Sequence, residues 1–490
     1  MLQGASPFLL HRLQRSTMTE PSCSRRLAHW AAGLAFADLP PDVVEAARLR
    51  ILDVIGLAIA GGSTPFGRSV REAAAALSGP GPCHVFGTGE ALAVGGAAFA
   101  NGSLSQALEF DDTHNESIVH ISSPSVAAAL PLAEAEGKSG MAVITAVALG
   151  SEIAARVGVV APQQFHKRGF HPTGLFSPFG CAMLAGHMLG LEEQALENAA
   201  GIAGSFASGL LECWVDGTQS KFLHPGWAAQ GGVSAAYLAR AGATGPRAVF
   251  EGRFGLFASH LQDPDIRLDL ERMTRDLGDH WETRGASFKP YPVAHVIHPY
   301  IDALLALRAR HGIDPADVSE VVCPVAAYIV PIVCEPLAEK RRPASDSHGR
   351  VSLAYTLAEA LVLGRIGKDA YAPASLRDPA ILAMADRVRH EVDPTFPGPE
   401  RFKGVVQVVM NDGRRFEAVE EHNRGSAANP MSLKDLLAKF DENAADRLSP
   451  AQSARVVDAV MTLETLADAS ALAKLAAGLT PTPDARNARR

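Results

Sequence analysis

Apolar residues recur at helical spacing along most of the chain up to about Gly285. The clearest run begins after Pro40-Pro41 and ends at Gly61-Gly62, and these residues favour the first turn and the end of a helix. The apolar positions of this run are Val44, Ala47, Ile51, Val54, Ile55 and Ala58. Similar runs predict helices at residues 126–136, 141–156, 179–189, 193–211 and 226–241. Many of their apolar positions are Ala or Gly, which predicts a compact bundle of closely spaced helices.

The pattern changes after Gly285, where short strand-like runs appear at residues 318–326, 329–333 and 404–410. The last run is followed by Asn411-Asp412-Gly413, a hairpin turn signal, and by a returning strand at 415–419. Helices are predicted between the strands at 301–310 and 351–363. The chain becomes helical again at 433–440, 450–461 and 463–478.

A chain of 490 residues is too long for one typical domain. The patterns predict a mainly α fold, in which a large all-helical domain (20–286 and 425–479) is interrupted by a smaller α+β lid domain at 287–424. Residues 480–490 are predicted to be a disordered tail. Residues 1–19 form an extension without acidic residues, weakly like a transit peptide. Because this extension lacks a long apolar run, we prefer the explanation that Met1 is an upstream start codon and that the protein starts at Met18.

Composition excludes several classes of protein. A net charge of −8 without a basic stripe argues against a nucleic-acid partner. The longest stretch without charged residues, 169–191, is interrupted by Pro172 and Pro178 and contains two histidines, so no membrane span is expected. No phosphate-binding glycine motif is present, because Gly87-Thr88-Gly89 lacks the third glycine. We therefore expect no nucleotide cofactor.

The six cysteines are scattered, and none stands in a C-x-x-C pair. This pattern argues against zinc or iron–sulfur sites, so no metal is expected. Unpaired cysteines in a large chain also fit a reducing compartment, which predicts a cytoplasmic protein.

Chemistry must then come from polar residues in loops between helices, and four short motifs contain them. In the first, acids, a hydroxyl and imidazoles lie close together: Glu109, Asp111, Asp112, Thr113, His114 and His120. Such a loop can bind an anion while its carboxylates orient the imidazoles. The alternative is a solvated loop in which Asp112 and Thr113 cap a helix.

In the second motif, His171 stands in a glycine-flanked turn at a helix start, which suits a substrate carboxylate and proton transfer. A capping histidine is the alternative, and His166 and His187 are expected to have only such structural roles.

In the third motif, Lys221 lies among small and apolar residues, where it could be a surface lysine or a partly desolvated lysine that binds a carboxylate. The fourth motif, at the predicted domain boundary, contains Lys289, Tyr291, His295 and His298.

Taken together and in this order, the motifs ALEFDDTHNESIVH, GFHPTG, DGTQSKFLHPGWAAQGG and FKPYPVAHVIHPYIDA resemble the MmgE/PrpD family, which includes 2-methylcitrate dehydratase and cis-aconitate decarboxylase. The resemblance extends from about Leu27 to Ala477. It implies a helical domain with an α+β lid, a homodimer, an active site in the cleft between the domains, and neither metal nor organic cofactor.

By motif position, the functional residues of the decarboxylase branch correspond to Glu109 (an Asp in that branch), Thr113, His120, His171, Lys221 and Lys289. The chain departs from that branch in two places. The spacing from Thr113 to His120 is one residue longer than in the animal decarboxylase, and Ala294 stands where a catalytic-type histidine is expected, with His295 next to it.

The resulting prediction is a cofactor-independent hydro-lyase that acts on a small hydroxy di- or tricarboxylate such as 2-methylcitrate. His171 is expected to transfer protons, with Lys221 and His120 completing the catalytic set. Substrate binding is assigned to Thr113, Asp111, Asp112, Glu109, Lys289, Tyr291, His295 and His298. The alternatives are a cis-aconitate-type decarboxylase, a dicarboxylate epimerase, and an inactive binding protein on the same scaffold.

Overall fold

The computed structural model describes residues 21–398 and 401–478. The predicted N-terminal extension (1–19) and C-terminal tail (480–490) lie outside the described residues. Within them the fold is mainly helical and has two large hydrophobic cores. The first core contains residues between 23 and 286 and again between 440 and 476, and the second contains residues between 291 and 410.

The first core is built mainly from helices but also includes two short strand pairs, so the prediction of an all-helical domain is wrong in this detail. Its helices before the second core are α1 (Cys23–Gly33), α2 (Pro41–Gly62), α3 (Pro65–Ser78), α4 (Val94–Gln106), α5 (Ser122–Glu136), α6 (Gly140–Gly158), α7 (Pro172–Met188), α8 (Glu193–Ala203), α9 (Cys213–Asp216), α10 (His224–Arg240) and α11 (Leu256–Leu261). Strands β1 (Pro80–His84) and β2 (Ala91–Leu92) form one pair, and β3 (Thr113–His114) and β4 (Ala286–Ser287) form the other.

Small residues allow the central helices of this core to approach closely. A Cβ atom added at Gly180 on α7 would lie 2.2 Å from the carbonyl oxygen of Gly150 on α6. One added at Gly232 on α10 would lie 2.3 Å from Cβ of Cys181 on α7. The Ala- and Gly-rich composition of these helices is therefore a packing requirement, as the sequence pattern predicts.

The second core is formed around a four-stranded sheet with helices against it. Its helices are α12 (His298–His311), α13 (Leu337–Arg341), α14 (Asp346–Gly349), α15 (Leu353–Leu363) and α16 (Pro379–Ala385), and its strands are β5 (Val318–Val325), β6 (Val388–Val392), β7 (Gly404–Met410) and β8 (Arg415–Glu420). The strand order is β6-β5-β7-β8. Only β5 and β6 pair in parallel within this sheet, and β7 and β8 form the predicted hairpin. Gly413 in its turn has φ of 87°, a conformation that favours glycine.

After the sheet the chain returns to the first core through α17 (Leu433–Ala444), α18 (Pro450–Met461) and α19 (Ser470–Ala476). A buried ion pair marks this return, because Lys439 Nζ on α17 lies 2.7 Å from a carboxylate oxygen of Asp53 on α2. The same ammonium donates to the carbonyl oxygen of Phe110 at 2.9 Å. The end of the chain thereby fixes the backbone of the first polar motif.

Three local predictions are wrong. Residues 329–333 form helical turns and not a strand, because Pro331 has no N–H for a sheet ladder. The helix predicted at 193–211 ends at Ala203, and the loop after it supplies a hydrogen-bond acceptor to the site described below. The run at 463–478 is divided into a short turn, Leu463–Thr465, and α19.

Among the described residues, one helix, α6, is long and apolar enough to cross a membrane. However, 89% of its most apolar 18-residue window is buried inside the protein. Its two buried charges are also satisfied within the fold, since Arg156 Nε donates to Glu152 at 2.6 Å and Glu152 accepts the N–H groups of Glu282 and Thr283. This packing is typical of a core helix.

Candidate active site

A cavity of about 130 Å³ lies where the two cores meet. This volume holds several water molecules or a small organic acid. Its wall combines cationic and imidazole groups with apolar side chains from both cores. The lining residues are Glu109, Thr113, Ile118, His120, Gln163, His166, Lys167, His171, Trp214, Lys221, Lys289, Ala294, His295, Val296, Tyr328, Ile332 and Phe402.

Glu109 holds the two buried lysines of this cavity together. Lys221 Nζ donates to its two carboxylate oxygens at 2.5 and 2.6 Å, and Lys289 Nζ donates to one of them at 3.2 Å and to the Glu109 carbonyl at 3.0 Å. All three side chains are buried. Burial by itself would raise the pKa of Glu109, but the charges of Lys221, Lys289 and His120 outweigh it and hold that pKa well below its usual range.

The backbone at Glu109 is as constrained as its side chain. Its φ of 54° lies in the left-handed region, which is uncommon for a residue other than glycine. The neighbouring carbonyl of Leu108 accepts a hydrogen bond from Arg350 of the second core at 3.0 Å. Burial lowers the pKa of Lys289, and the charges of Glu109 and Asp111 act in the opposite direction. The carboxylate is thus required where it stands, because without it the two ammonium groups would be buried without an anion between them.

His120 is oriented by acceptors on one side of its ring. Its Nδ1 donates to the Asp112 carbonyl at 2.9 Å and lies 3.1 Å from a carboxylate oxygen of Asp111. Because both neighbours are acceptors, Nδ1 carries the proton, and Nε2 is directed toward Glu109 at 3.9 Å. Burial would raise the pKa of Asp111, but the neighbouring His120 and Lys289 lower it overall. Asp111 therefore orients His120, the arrangement that the sequence predicts for it.

His171 occupies the N-cap position of α7 without a side-chain capping hydrogen bond and faces the same cavity. Its backbone N–H donates to the Gly209 carbonyl at 2.9 Å, and its Nδ1 lies 2.8 Å from Nδ1 of His224. Burial lowers the pKa of His171 well below its usual range, and the charges of Lys221, His224, His120 and His166 lower it further. The ring is therefore neutral near pH 7. Its centroid lies 5.5 Å from that of His120, so the two imidazoles share one wall.

Three polar atoms of the cavity wall are buried and have no hydrogen-bond partner among the described residues. They are Oγ1 of Thr113, Nε2 of His171 and Nδ1 of His295. Buried polar atoms are nearly always satisfied in folded proteins, so a group of three around one cavity indicates a polar ligand.

The short β3–β4 pairing, in which Thr113 lies opposite Ser287, joins the first motif to the fourth and brings Lys289 to the cavity.

Four predicted substrate-binding residues do not line the cavity. One is Asp111, which orients His120. The others are Asp112, Tyr291 and His298. The carboxylate of Asp112 accepts from the hydroxyl of Ser122 at 2.5 Å, and one of its oxygens lies 3.4 Å from Nε of Arg50. Tyr291 donates its hydroxyl to Asp302 at 2.7 Å, and His298 Nε2 donates to the Val293 carbonyl at 3.1 Å. These contacts hold the three side chains inside the fold and away from the cavity wall. His295 does line the cavity, held by Asn423 through Nε2 at 2.9 Å.

Sequence reasoning missed several residues of this wall. His166, expected to be structural, lines the cavity with its ring centroid 5.1 Å from that of Trp214, and burial lowers its pKa to about 4. Its position five residues before His171 was a signal that could have been used. Tyr328 and Ile332 come from short helical turns of the second core and Phe402 from one of its loops, and no pattern near them in the sequence indicates a site.

In the described part of the chain, no group of three or more His, Cys, Asp or Glu side chains is arranged to hold a metal ion. The six cysteines are all free and buried.

Nearly the whole chain is similar to known proteins. A family model described as the MmgE/PrpD N-terminal domain matches residues 25–269, and one described as the MmgE/PrpD C-terminal domain matches residues 291–465. A cis-aconitate decarboxylase of Aspergillus terreus is 29% identical over 466 residues, which are 92% of this chain and 94% of the relative. The human cis-aconitate decarboxylase is 27% identical over 93% of this chain and 94% of its own length.

A cis-aconitate decarboxylase-like protein, oryM, of Aspergillus oryzae is 28% identical over 94% of this chain and 98% of its own length. The similarity therefore includes all four motifs that meet at the cavity.

We expect Glu109→Gln to lower the free energy of unfolding by about 3 kcal/mol at pH 7, because it leaves two buried ammonium groups without their anion. Since the pKa of Glu109 is lowered in the folded state, its contribution is complete above the ordinary carboxyl pKa and is lost as the pH falls below about 4. Urea unfolding of both proteins at several pH values measures the difference, which should shrink with acidification.

The matched control is Asp369→Asn, which breaks an exposed ion pair with Arg365. It should change the free energy of unfolding by less than about 0.5 kcal/mol. Equal effects of the two substitutions would contradict a structural role for the Glu109 charge.

Proposed function

The chain belongs to the MmgE/PrpD family, and on that premise we propose that it is a cofactor-independent carboxy-lyase for a small unsaturated tricarboxylic acid of the cis-aconitate type. The observation that carries this proposal is the similarity to cis-aconitate decarboxylases over more than nine tenths of both chains. It supports decarboxylation better than the dehydration expected from the sequence. The family-level prediction of a lyase is retained.

The charges of the cavity fit an anionic substrate. An ammonium group has three N–H donors, and each of the two buried lysines uses two of them on Glu109. One N–H of Lys221 and one of Lys289 therefore stay available for substrate carboxylates. Lys167 at the cavity wall adds a further cation that is exposed. Thr113 supplies a hydroxyl that orients a carboxylate.

Decarboxylation needs stabilisation of negative charge and one proton. When the carbon–carbon bond to the departing carboxylate breaks, carbon dioxide leaves and the electron pair stays on the substrate carbon. The ammonium groups of Lys221 and Lys289 stabilise this charge in a water-poor site. A proton donated by His171 from Nε2 then forms the new C–H bond, and the imidazole, neutral before this step, takes up a proton from solvent before the next turnover. The apolar side chains of Ile118, Val296 and Phe402 provide a surface that can accommodate the uncharged carbon dioxide as it leaves.

The second core acts in this proposal as a lid over the helical core. Ala294, His295 and Val296 line one side of the cavity, and Tyr328, Ile332 and Phe402 extend the same wall. Clefts between two packed bodies are favoured ligand sites, because a small movement of one body admits the substrate and excludes water. A homodimer and a cytoplasmic location are the further expectations carried over from the sequence.

The substrate is tested by incubating the purified protein with cis-aconitate, citrate and 2-methylcitrate, before and after dialysis against EDTA. We expect a five-carbon dicarboxylic acid and carbon dioxide from cis-aconitate, detected by NMR and by gas release, with activity unchanged by EDTA. Water loss from a hydroxy acid instead would establish the dehydratase alternative, and inversion of a stereocentre would establish the epimerase. Binding without turnover of any acid would favour an inactive binding protein.

His171→Gln should lower kcat about a hundredfold to ten-thousandfold with a smaller change in KM, because it removes the proton donor and preserves the bulk of the side chain. Steady-state kinetics on cis-aconitate measure both constants. His187→Gln is the matched control, since His187 lies on the same helix and donates Nδ1–H to the Ala31 carbonyl far from the cavity wall. Normal turnover by the His171 variant would remove His171 from the mechanism.

Lys221→Met should raise KM at least as much as it lowers kcat, because the ammonium contacts a substrate carboxylate in the ground state and the transition state alike. Methionine is about as long as lysine, and the ion pair between Glu109 and Lys289 remains, so the protein should still fold. The exposed residue Lys434 provides the control substitution Lys434→Met. A large loss of kcat at unchanged KM would instead identify Lys221 as the proton donor.

A further inference from the structure

A second cavity, of about 360 Å³, lies on the other side of the His171 wall. His224 lines this second cavity and forms the Nδ1–Nδ1 hydrogen bond of 2.8 Å with His171, which lines the first. The remaining lining residues of the second cavity that the structure describes carry no ionisable side chain. The two rings therefore form the boundary between the candidate active site and a separate space.

The same backbone segment holds both rings. The Gly209 carbonyl accepts the backbone N–H of His171 at 2.9 Å, and the position of a Cβ at Gly209 faces the ring of His224. A Cβ atom at Gly209 would lie 3.2 Å from Nδ1 of His224, and the φ of 152° already disfavours a side chain there. The contact between the two imidazoles is thus built into the loop that follows α8.

A hydrogen bond between two Nδ1 atoms contains one proton, which either ring can supply. Burial and the nearby Lys221 lower the pKa of His224 to about 4. The pKa of His171 is lowered by burial and by the charges of Lys221, His224, His120 and His166. Both rings are therefore neutral near pH 7, and each has one N–H. If His224 donates, His171 has its proton on Nε2. If His171 donates, its Nε2 presents a lone pair to the first cavity.

The chemistry of the substrate decides between these two states. A carboxylate accepts hydrogen bonds and cannot donate them, so it is repelled by a lone pair on Nε2 of His171 and attracted by an N–H there. The surroundings of His120 fix its tautomer through two oxygen acceptors, but among the described residues His171 has only the ring of His224 to fix its own.

We propose that His224 is a positioning residue that donates its Nδ1 proton to Nδ1 of His171 and thereby keeps the proton of His171 on Nε2, directed at the substrate. This inference rests on the proposed function in one respect, because it assumes an anionic substrate in the first cavity. It explains the histidine of the motif SKFLHPGW, to which the sequence gives no role. Partners that orient metal-ligating histidines typically contribute about tenfold to a hundredfold in activity, and we expect an effect of that size for His224.

The kinetic test compares two side chains of similar shape, of which only Asn can donate a hydrogen bond. His224→Leu should lower kcat about tenfold to a hundredfold and change KM less than about threefold. His224→Asn should stay within about threefold of the wild type, since its amide can place an N–H where Nδ1 stood. His187→Leu, which removes a partly buried histidine from the same helix as His171, should leave both constants unchanged. Equal loss in the Leu and Asn variants would overturn the proposal.

Chemical rescue separates donation from mere packing. In His224→Ala the lost ring leaves room that is continuous with the second cavity, so a small heterocycle can enter. At pH about 8.5, above the ordinary imidazole pKa, both probes are neutral. Imidazole should restore a substantial part of kcat, whereas 1-methylimidazole, which has no N–H, should not. Equal rescue by both would show that His224 accepts the hydrogen bond and would overturn the assigned direction.

A measurement without turnover distinguishes this inference from the proposed function. Protein with ¹⁵N-labelled histidine is observed by NMR with propane-1,2,3-tricarboxylate, a saturated acid that cannot undergo the reaction. The His171 signals, identified by their loss in His171→Gln, should show a protonated Nε2 and an unprotonated Nδ1. A proton on Nδ1 would refute the inference. Failure of the wild type to convert any acid would refute only the proposed function.

Discussion

The carboxylate of Glu109 between the ammonium groups of Lys221 and Lys289 is the interaction on which the site depends. The three residues come from separate parts of the chain, and all are buried. Charges in such a place are stable only when each has its counterion, so removing Glu109 would leave two buried ammonium groups without an anion at a high cost in free energy. The two cores therefore cannot meet in this arrangement without also assembling the cationic centre of the cavity.

Other buried cations secure the same loop. Lys439 on α17 donates to the Phe110 carbonyl, and Arg350 of the second core donates to the carbonyls of Leu108 and Pro292. The loop around Glu109 is thus held by contacts from the end of the chain and from the second core. This explains how a residue other than glycine is maintained at a φ of 54°. It also makes the geometry of the site a property of the whole fold and not of one motif.

The roles of the cavity residues follow from which of their polar atoms already have hydrogen-bond partners. Asp111 and the Asp112 carbonyl fix His120, and Glu109 fixes both lysines, so these groups are rigid before any substrate arrives. Thr113, His171 and His295 instead keep one buried polar atom each that has no partner among the residues that the structure describes. A site with a rigid cationic part and a few unsatisfied donors is suited to a small acid with several carboxylates, which can satisfy all of them. The His224 ring adds control over one of those donors from outside the cavity.

The sequence by itself determined the features that depend on local periodicity and on the order of motifs. The helices at Pro41–Gly62 and Pro450–Met461, the Asn411-Asp412-Gly413 hairpin and the grouping of Glu109, His120, His171, Lys221 and Lys289 could all be predicted, because helical spacing, turn chemistry and motif order are visible along the chain. The side-chain partners could not. Asp112, Tyr291 and His298 stand in the same motifs as true lining residues, yet they pair with Arg50, Asp302 and a backbone carbonyl outside the cavity wall. His166 and Phe402 reach the cavity, and His224 reaches His171, only because distant segments pack together. Such pairings are set by the tertiary structure, since neighbours in space that are far apart in sequence leave no periodic signal in a single chain.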